Sequence, residues 1–272
     1  MIFSSDLDRT LIYSRKSMGV VPEHELVPVE LYQGEYISYM TQTSIELLQN
    51  LSDQALFIPV TTRTEEQYKR IFYIQQYFQP RYAVTSNGGK ILIDGVLDQE
   101  WSAQIQRALM ESASFEEVRR AFEQISSPEW VKKMNFSDEL FFTVILDPER
   151  VPVPIIEEFR QRLEGMGWHV SLQGRKLYLV PAGVNKGAAV LYIRELVGAR
   201  YIASAGDSLL DESLLNISDL ALSPRHGELY ARKPGNEEVR YTRLTGIKAA
   251  EELIEEITDY FLNIQQQVTG IL

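Results

Sequence analysis

Short apolar runs separated by amphipathic stretches set the rhythm of this chain. Residues 1–5, "MIFSS", read as a buried strand. "VPVELYQGEYISYM" alternates apolar and polar residues about Gln33 and Gly34, the signature of a hairpin. "TSIELLQNLSDQ" opens on hydroxyl residues and carries apolar positions at helical spacing, so it predicts a helix. "ALFIPVTT" is a second apolar strand ending in hydroxyls, "EEQYKRIFYIQQYF" predicts one amphipathic helix, and "RYAVTSNGGKILIDG" is a strand that breaks at Asn87, Gly88 and Gly89.

From about Lys90 to Gly183 the rhythm changes. Two helical segments, "SAQIQRALMES" and "SFEEVRRAFEQI", lead into the strand "ELFFTVILD". A helix "IIEEFRQRLEGM" and a strand pair "WHVSLQ" and "KLYLVPAG" about a glycine turn complete an α+β module. Glycines in "NGGK" and "PAGVNKG" bracket it and suit hinges. Alternation then resumes with helix "KGAAVLYIREL", strand "YIASAGD", helix "DESLLNI", strand "LALS" and an acidic amphipathic helix near 249–263. Strand and helix in turn favour a parallel sheet covered by helices, so the expectation is a Rossmann-like α/β domain, residues 1–89 and 184–272, interrupted by a second α+β domain, residues 90–183.

Composition narrows the function classes. A chain of 272 residues with 44% hydrophobic and 24% charged residues has room for a large core, and no apolar run approaches a membrane span. The net charge of -11 argues against a surface built for nucleic acid, which is bound through clustered Lys and Arg. The absence of cysteine rules out disulfides and thiolate metal sites. With no basic leader before an apolar segment, the expectation is a soluble cytoplasmic protein, without nucleic-acid or membrane partners, working as a monomer or homodimer.

Sites in open parallel sheets lie at the carboxyl ends of strands. Four such ends carry polar residues on this reading: Asp6 and Asp8, Thr61 and Thr62, Ser86 and Asn87, and Asp207 with Asp211, while Lys186 starts a helix at the same rim. Two aspartates one residue apart at the end of a buried strand repel unless something neutralises them. Carboxylates converging from different strands make an oxygen-rich pocket that suits Mg²⁺. One aspartate can then attack phosphorus, and the second, on the same side of an extended chain, can give and take the proton. Thr61 can donate to a phosphoryl oxygen, and Lys186 can place a cation beside the others.

"DLDRT" at 6–10, "VTTR" at 60–63, "NKG" at 185–187 and "GDSLLD" at 206–211 occur in the order and approximate spacing of the four motifs of the haloacid dehalogenase-like (HAD) superfamily of phosphohydrolases. "TSNGG" and the insert between the second and third motifs resemble the subgroup with a C2-type cap, which includes sucrose-phosphate phosphatase and mannosyl-3-phosphoglycerate phosphatase. The resemblance implies a catalytic core and an inserted cap that closes over substrate. It implies Asp6 as nucleophile and Mg²⁺ ligand, and Asp8 as acid and base with its backbone carbonyl on the metal. Thr61 and Lys186 would hold phosphate, Asp207 would ligate Mg²⁺, and Asp211 would complete the metal site. Asn87 and Arg63 are further candidates for substrate contact. Two positions depart from the pattern: Arg9 stands where many relatives have glycine, and Leu210 stands where the last motif usually has asparagine.

The expected activity is therefore Mg²⁺-dependent hydrolysis of a small phosphorylated metabolite of the sugar or polyol class, through an aspartyl-phosphate. A phosphomutase of the same superfamily and a catalytically weakened phosphometabolite-binding regulator are the alternatives. "GDSL" also invites an esterase with Ser208 as nucleophile, but the only later histidine is His226, and Ser223 stands where its orienting aspartate would be. His24, His169 and His226 lack metal-ligand spacing.

Overall fold

Where each apolar run ends decides where the polar residues gather, and the computed structural model, which describes residues 1–269, follows the alternation closely. The chain opens with strand β1 (Ile2–Ser5), continues through β2 (Leu26–Tyr32) and β3 (Glu35–Thr41), and enters helix α1 (Gln42–Ser52). Strand β4 (Leu56–Pro59), helix α2 (Glu65–Lys69) and strands β5 (Tyr82–Thr85), β6 (Lys90–Ile93) and β7 (Val96–Leu97) follow. Next come α3 (Gln99–Leu109), α4 (Phe115–Glu123), β8 (Val131–Ser137), β9 (Phe141–Leu146), α5 (Val153–Glu164), β10 (Trp168–Gln173) and β11 (Lys176–Pro181). The last stretch runs α6 (Lys186–Val197), β12 (Ile202–Ala205), α7 (Glu212–Leu215), β13 (Leu220–Ser223), α8 (Glu228–Arg232), β14 (Arg240–Tyr241) and α9 (Lys248–Thr269). Two compact units result, Met1–Leu97 with Lys186–Leu272, and Asp98–Asn185.

The first unit is built on a five-stranded parallel sheet of order β14-β13-β12-β1-β4. Every residue of β1 is buried, as a strand covered on both faces requires. Phe3, Phe57, Ala203, Ala205, Leu220 and Leu222 join one core cluster with Leu48 of α1 and Leu253, Ile254, Ile257 and Phe261 of α9. Helices α6 and α7 pack on one another, and α7 lies against β12 and β13. Helix α1 starts at a capping box in which the hydroxyls of Thr41 and Ser44 each accept the other's backbone N–H, a feature worth about 1 kcal/mol to a helix end. The hairpin turns at Gln33 and Gly34, both with positive φ, as its tight connection demands. Among the described residues no helix is long and apolar enough to cross a membrane.

The second unit is a four-stranded antiparallel sheet of order β10-β11-β9-β8 with α3, α4 and α5. Its own core gathers Val118 and Phe122 of α4, Ile156, Phe159 and Leu163 of α5, and Phe142, Val144, Trp168, Val170, Leu177 and Leu179 of the sheet. Strand β8 was not foreseen. Its sequence "VKKMNFS" has no fully buried position, and pairing with β9 rather than apolar patterning holds it. Strands β6 and β7, which the apolar pattern placed at the start of the insert, pair antiparallel with β5 and one another inside the first unit.

One expected helix is broken. Instead of a single helix through "EEQYKRIFYIQQYF", α2 stops at Lys69, and a separate wide turn covers Ile74–Phe78, ending at Gln79 in the left-handed region. The reason lies at Arg70, whose carbonyl accepts from Leu31 N–H of β2 at 3.4 Å and from Phe72 N–H at 2.9 Å instead of continuing a helical ladder. Tertiary contact with the hairpin overrides local propensity.

Candidate active site

Parallel register alone brings three of the motifs together. Ser5 of β1 is level with Ala205 of β12 on one side and Pro59 of β4 on the other. The next residues are therefore Asp6, Gly206 with Asp207, and Val60 with Thr61, all leaving the sheet at its carboxyl rim. Backbone bonds continue the ladder past the strands: Asp6 N–H donates to Ala205 O at 2.9 Å, Val60 N–H to Ser5 O at 2.7 Å, and Thr61 N–H to Val84 O at 2.8 Å.

Asp6, Asp207 and Asp211 are all buried, and each offers a carboxylate oxygen within 4.8 Å of the others. Lys186, the first residue of α6 and fully buried, spans part of this cluster. Its Nζ donates to Asp6 Oδ1 at 2.6 Å and to Asp211 Oδ1 at 2.5 Å. The other oxygen of Asp6 accepts from Thr10 Oγ1 at 3.3 Å. Asp211 Oδ2 accepts three donors, Ser208 N–H and Ser208 Oγ at 2.8 Å each and Asp207 N–H at 3.1 Å. Asp211 is thus tied down on both oxygens, whereas Asp6 is held mainly on one.

Two motif glycines make this packing possible. A Cβ on Gly187 would lie 2.0 Å from Ser213 O, and one on Gly206 would lie 2.4 Å from Asp211 Cβ, so any side chain there would drive α6 from α7 or push Asp211 out of place.

Charge in this pocket is expensive. Burial pushes the Asp6 carboxyl up to about 7, against the pull of Lys186 and with help from Asp211 and Asp8. Burial likewise raises Asp207 well above the usual carboxylate range, and Asp6 adds to it. Burial works against the charge on Lys186 too, yet Asp211 and Asp6 outweigh it and raise its hold on the proton. One lysine beside three buried carboxylates leaves negative charge in excess, and all the donor atoms are oxygens. That is the chemistry a small, hard divalent cation selects, so Asp6, Asp207 and Asp211 fit a Mg²⁺ ion.

Asp8 stands apart from that group, with its side chain about half exposed. Both of its oxygens are gripped by Arg63, whose Nε donates to Oδ2 at 2.6 Å and Nη2 to Oδ1 at 2.8 Å. Arg63 also faces Glu30 of β2, with Nη1 and Nη2 donating to its two oxygens at 2.7 and 2.9 Å. The Arg63 backbone N–H donates to Thr61 Oγ1 at 3.1 Å, and its carbonyl accepts from Ser86 N–H at 2.7 Å. Asn87, buried and left-handed at φ 58°, donates its backbone N–H to Thr61 O at 3.0 Å. The structure therefore brings all eight sequence-derived candidates into the first unit, in two groups: Asp6, Lys186, Asp207 and Asp211 around one cluster, and Asp8, Thr61, Arg63 and Asn87 along an adjoining network.

Arg9 has φ 63°, in the left-handed region that glycine adopts most readily, so a glycine would fit this backbone without strain. Its guanidinium turns to the loop before α8: Nη2 donates to His226 O at 2.7 Å, and Nε lies 3.6 Å from Asp207 Oδ2. The His226 ring is engaged in return, with Nε2 3.0 Å from Arg9 O and Nδ1 accepting from Gly246 N–H. Ser208 spends its hydroxyl on Asp211, so neither half of an esterase pair is poised. Leu210 is buried and offers no polar atom; Ser208 and two backbone N–H groups hold Asp211 in its place.

Residues that motif spacing did not single out include Thr10, Glu30, Ser38 and Arg70. Thr10 could have been found, since its hydroxyl sits four residues after Asp6 in the same motif. Glu30 could not, because strict alternation in "VPVELY" gives no sign that this carboxylate turns inward.

The family described as sucrose-6F-phosphate phosphohydrolase matches residues 1–222. No curated protein matches significantly. Among solved structures, the sucrose-phosphatase from Synechocystis sp. PCC6803 in complex with sucrose and phosphate is 18% identical, covers 96% of this chain and 97% of its own, and superposes with a TM-score of 0.67. The HAD subclass IIB sugar phosphatase BT4131 is 12% identical over 100% of this chain and 99% of its own, with a TM-score of 0.58. A protein of Thermoplasma acidophilum is 14% identical over 96% and 97%, with a TM-score of 0.59. These likenesses agree on the fold, a parallel-sheet core with added antiparallel sheets. HAD phosphatases generally use Mg²⁺, and the buried aspartates could bind it. The match over residues 1–222 settles the affiliation: the chain belongs to the sucrose-6F-phosphate phosphohydrolase family of HAD-type phosphatases and is a phosphoric monoester hydrolase.

Proposed function

We propose that this enzyme hydrolyses a sugar phosphate, with sucrose 6-phosphate the first candidate, through an aspartyl-phosphate formed on Asp6. The substrate class is supported by the family match, and the mechanism rests on one observation: three buried carboxylates and one buried lysine converge at a parallel sheet's carboxyl rim, with a fourth carboxylate, Asp8, half exposed beside them and paired with Arg63.

On this reading an Asp6 oxygen attacks phosphorus as the phosphorus–oxygen bond to the sugar breaks, and the departing sugar oxygen takes the proton of Asp8. Asp8, now ionised, removes a proton from water as that water attacks phosphorus. The bond to Asp6 breaks and inorganic phosphate leaves, with Asp8 carrying the proton it took from water. Lys186 and the Thr61 hydroxyl neutralise and orient the phosphoryl oxygens, while Asn87 and Arg63 border the same space. Asp6, Asp207 and Asp211, with the Asp8 carbonyl, would hold Mg²⁺, which when bound supplies the positive charge that lets an anionic phosphate approach an anionic nucleophile.

A phosphate-release screen over sugar and polyol phosphates, with and without Mg²⁺, tests the reading. Metal-dependent release by the wild type and none by Asp6→Asn is the expected result. Equal activity in the variant would sink Asp6 as nucleophile, and an isomerised product without free phosphate would make the enzyme a mutase.

A further inference from the structure

Glu30 is a fully buried carboxylate on a two-stranded hairpin, a place where an apolar residue would cost nothing. Two departures from regular structure serve it. The pairing of β2 with β3 shifts register on both sides of Glu30, from Pro28 opposite Tyr39, to Glu30 opposite Ser38, to Leu31 opposite Tyr36. A bulge of this kind re-aims a side chain, and here it lets Val29 and Glu30 both be buried in succession. The second departure is the break after α2 at Arg70, whose Nη2 comes to 3.4 Å from Glu30 Oε1. Ser38 Oγ adds a hydrogen bond to Glu30 Oε2 at 2.5 Å. The main occupant of the carboxylate is Arg63, whose guanidinium is gripped on one edge by Glu30 and on the other by Asp8, two bonds to each.

We propose that Glu30 is a positioning residue for the acid and base Asp8, acting through Arg63. This rests on the reading that Asp8 supplies the proton to the leaving oxygen. An arginine side chain anchored only at its tip by an exposed carboxylate can sample many rotamers and carry that carboxylate with it. Gripped from behind by a buried carboxylate that is itself fixed by Ser38 and the bulge, its planar fork sets the plane of the Asp8 carboxylate. Proton transfer demands placement within hydrogen-bond reach of the leaving oxygen, so a slack Arg63 costs rate where the leaving group needs a proton, and little where it does not.

That selectivity is the test. Values of kcat/KM are measured for phenyl phosphate, whose phenolate leaves poorly, and p-nitrophenyl phosphate, whose phenolate leaves readily. The enzymes are the wild type, Glu30→Gln, Arg63→Lys, the Glu30→Gln/Arg63→Lys double variant and Asp8→Asn. Glu30→Gln is expected to lower the phenyl phosphate value about ten-fold more than the p-nitrophenyl phosphate value, with Asp8→Asn showing the same selectivity more strongly. The double variant is expected to match Arg63→Lys alone, because Glu30 acts only through that arginine. An equal fall on both substrates, or an additive double variant, overturns the proposal and makes Glu30 a structural residue only. If Asp8→Asn shows no selectivity, the acid and base reading itself falls, and the proposal with it. Should Glu30→Gln fail to fold, Ser38→Ala loosens the same carboxylate without removing its charge and is expected to shift the ratio in the same direction.

Discussion

Asp6 and Asp8 are two residues apart on one strand end, yet they live in opposite electrostatic worlds. Asp6 is buried against a buried lysine, and burial, helped by the neighbouring carboxylates, raises its pKa to about 7. Asp8 is half exposed, and its charge is matched by an arginine whose own side chain is only 13% exposed. The first is a site where a cation is needed before full charge can exist. The second is already neutralised by the protein and stays open to solvent. This division suits the two roles proposed above, Asp6 as the nucleophile beside a metal ion and Asp8 as the proton carrier in exchange with water.

The largest expected effect comes from removing the cation that holds the buried pole. Lys186→Met leaves Asp6 and Asp211 without their common partner, and breaking a buried ion pair from one side costs on the order of 3–5 kcal/mol. Chemical denaturation of the metal-free protein at pH 8 checks this, and the loss should shrink at pH 5, where the carboxylates can protonate. An unchanged midpoint at pH 8 would mean that the cluster carries less charge than its geometry implies.

A smaller effect concerns Mg²⁺ and pH. The folded Asp6 pKa is raised above its unfolded value of 3.8, so the metal-free fold binds this proton more tightly than the unfolded chain does. Stability from this group is therefore present at low pH and declines as pH rises from about 4 to about 7. Mg²⁺ competes with that proton, so the rise in Tm on adding Mg²⁺ should be small at pH 5 and grow through about pH 7 to pH 8. A metal-induced shift that is flat with pH would show that Asp6 is not among the ligands.

The smallest effect belongs to Arg9. Arg9→Gly relieves a left-handed residue but removes the bond to His226 O, two terms of roughly 1 kcal/mol and opposite sign. Thermal unfolding should move by no more than about 2–4 °C. A larger fall would make the contact between Arg9 and His226 a main brace of the buried pole.

Much of this was legible without coordinates because it depends on local pattern. The apolar runs at Ile2–Ser5, Leu56–Pro59 and Ile202–Ala205 carry their polar ends with them, and parallel pairing does the rest, so Asp6, Thr61 and Asp207 were readable as neighbours. The hairpin about Gln33 and Gly34 and the hydroxyl start of α1 were legible for the same reason: turn and cap chemistry acts over two to four residues. Strand β8 was not, because its apolar residues Val131, Met134 and Phe136 do not alternate regularly and none of its positions is fully buried, so pairing with β9 defines it.

What sequence determined, then, was the order of elements, the rim on which the aspartates gather and the lysine that meets them. Only the tertiary structure decided how each aspartate is held. A bulge in β2 and a helix that stops at Lys69 bring Arg70 and Arg63 to Glu30, and Arg63 in turn meets Asp8. Pro28, with no N–H to give the ladder, favours the bulge locally, but which groups the bulge and the helix break bring together is decided by distant partners that satisfy a buried charge.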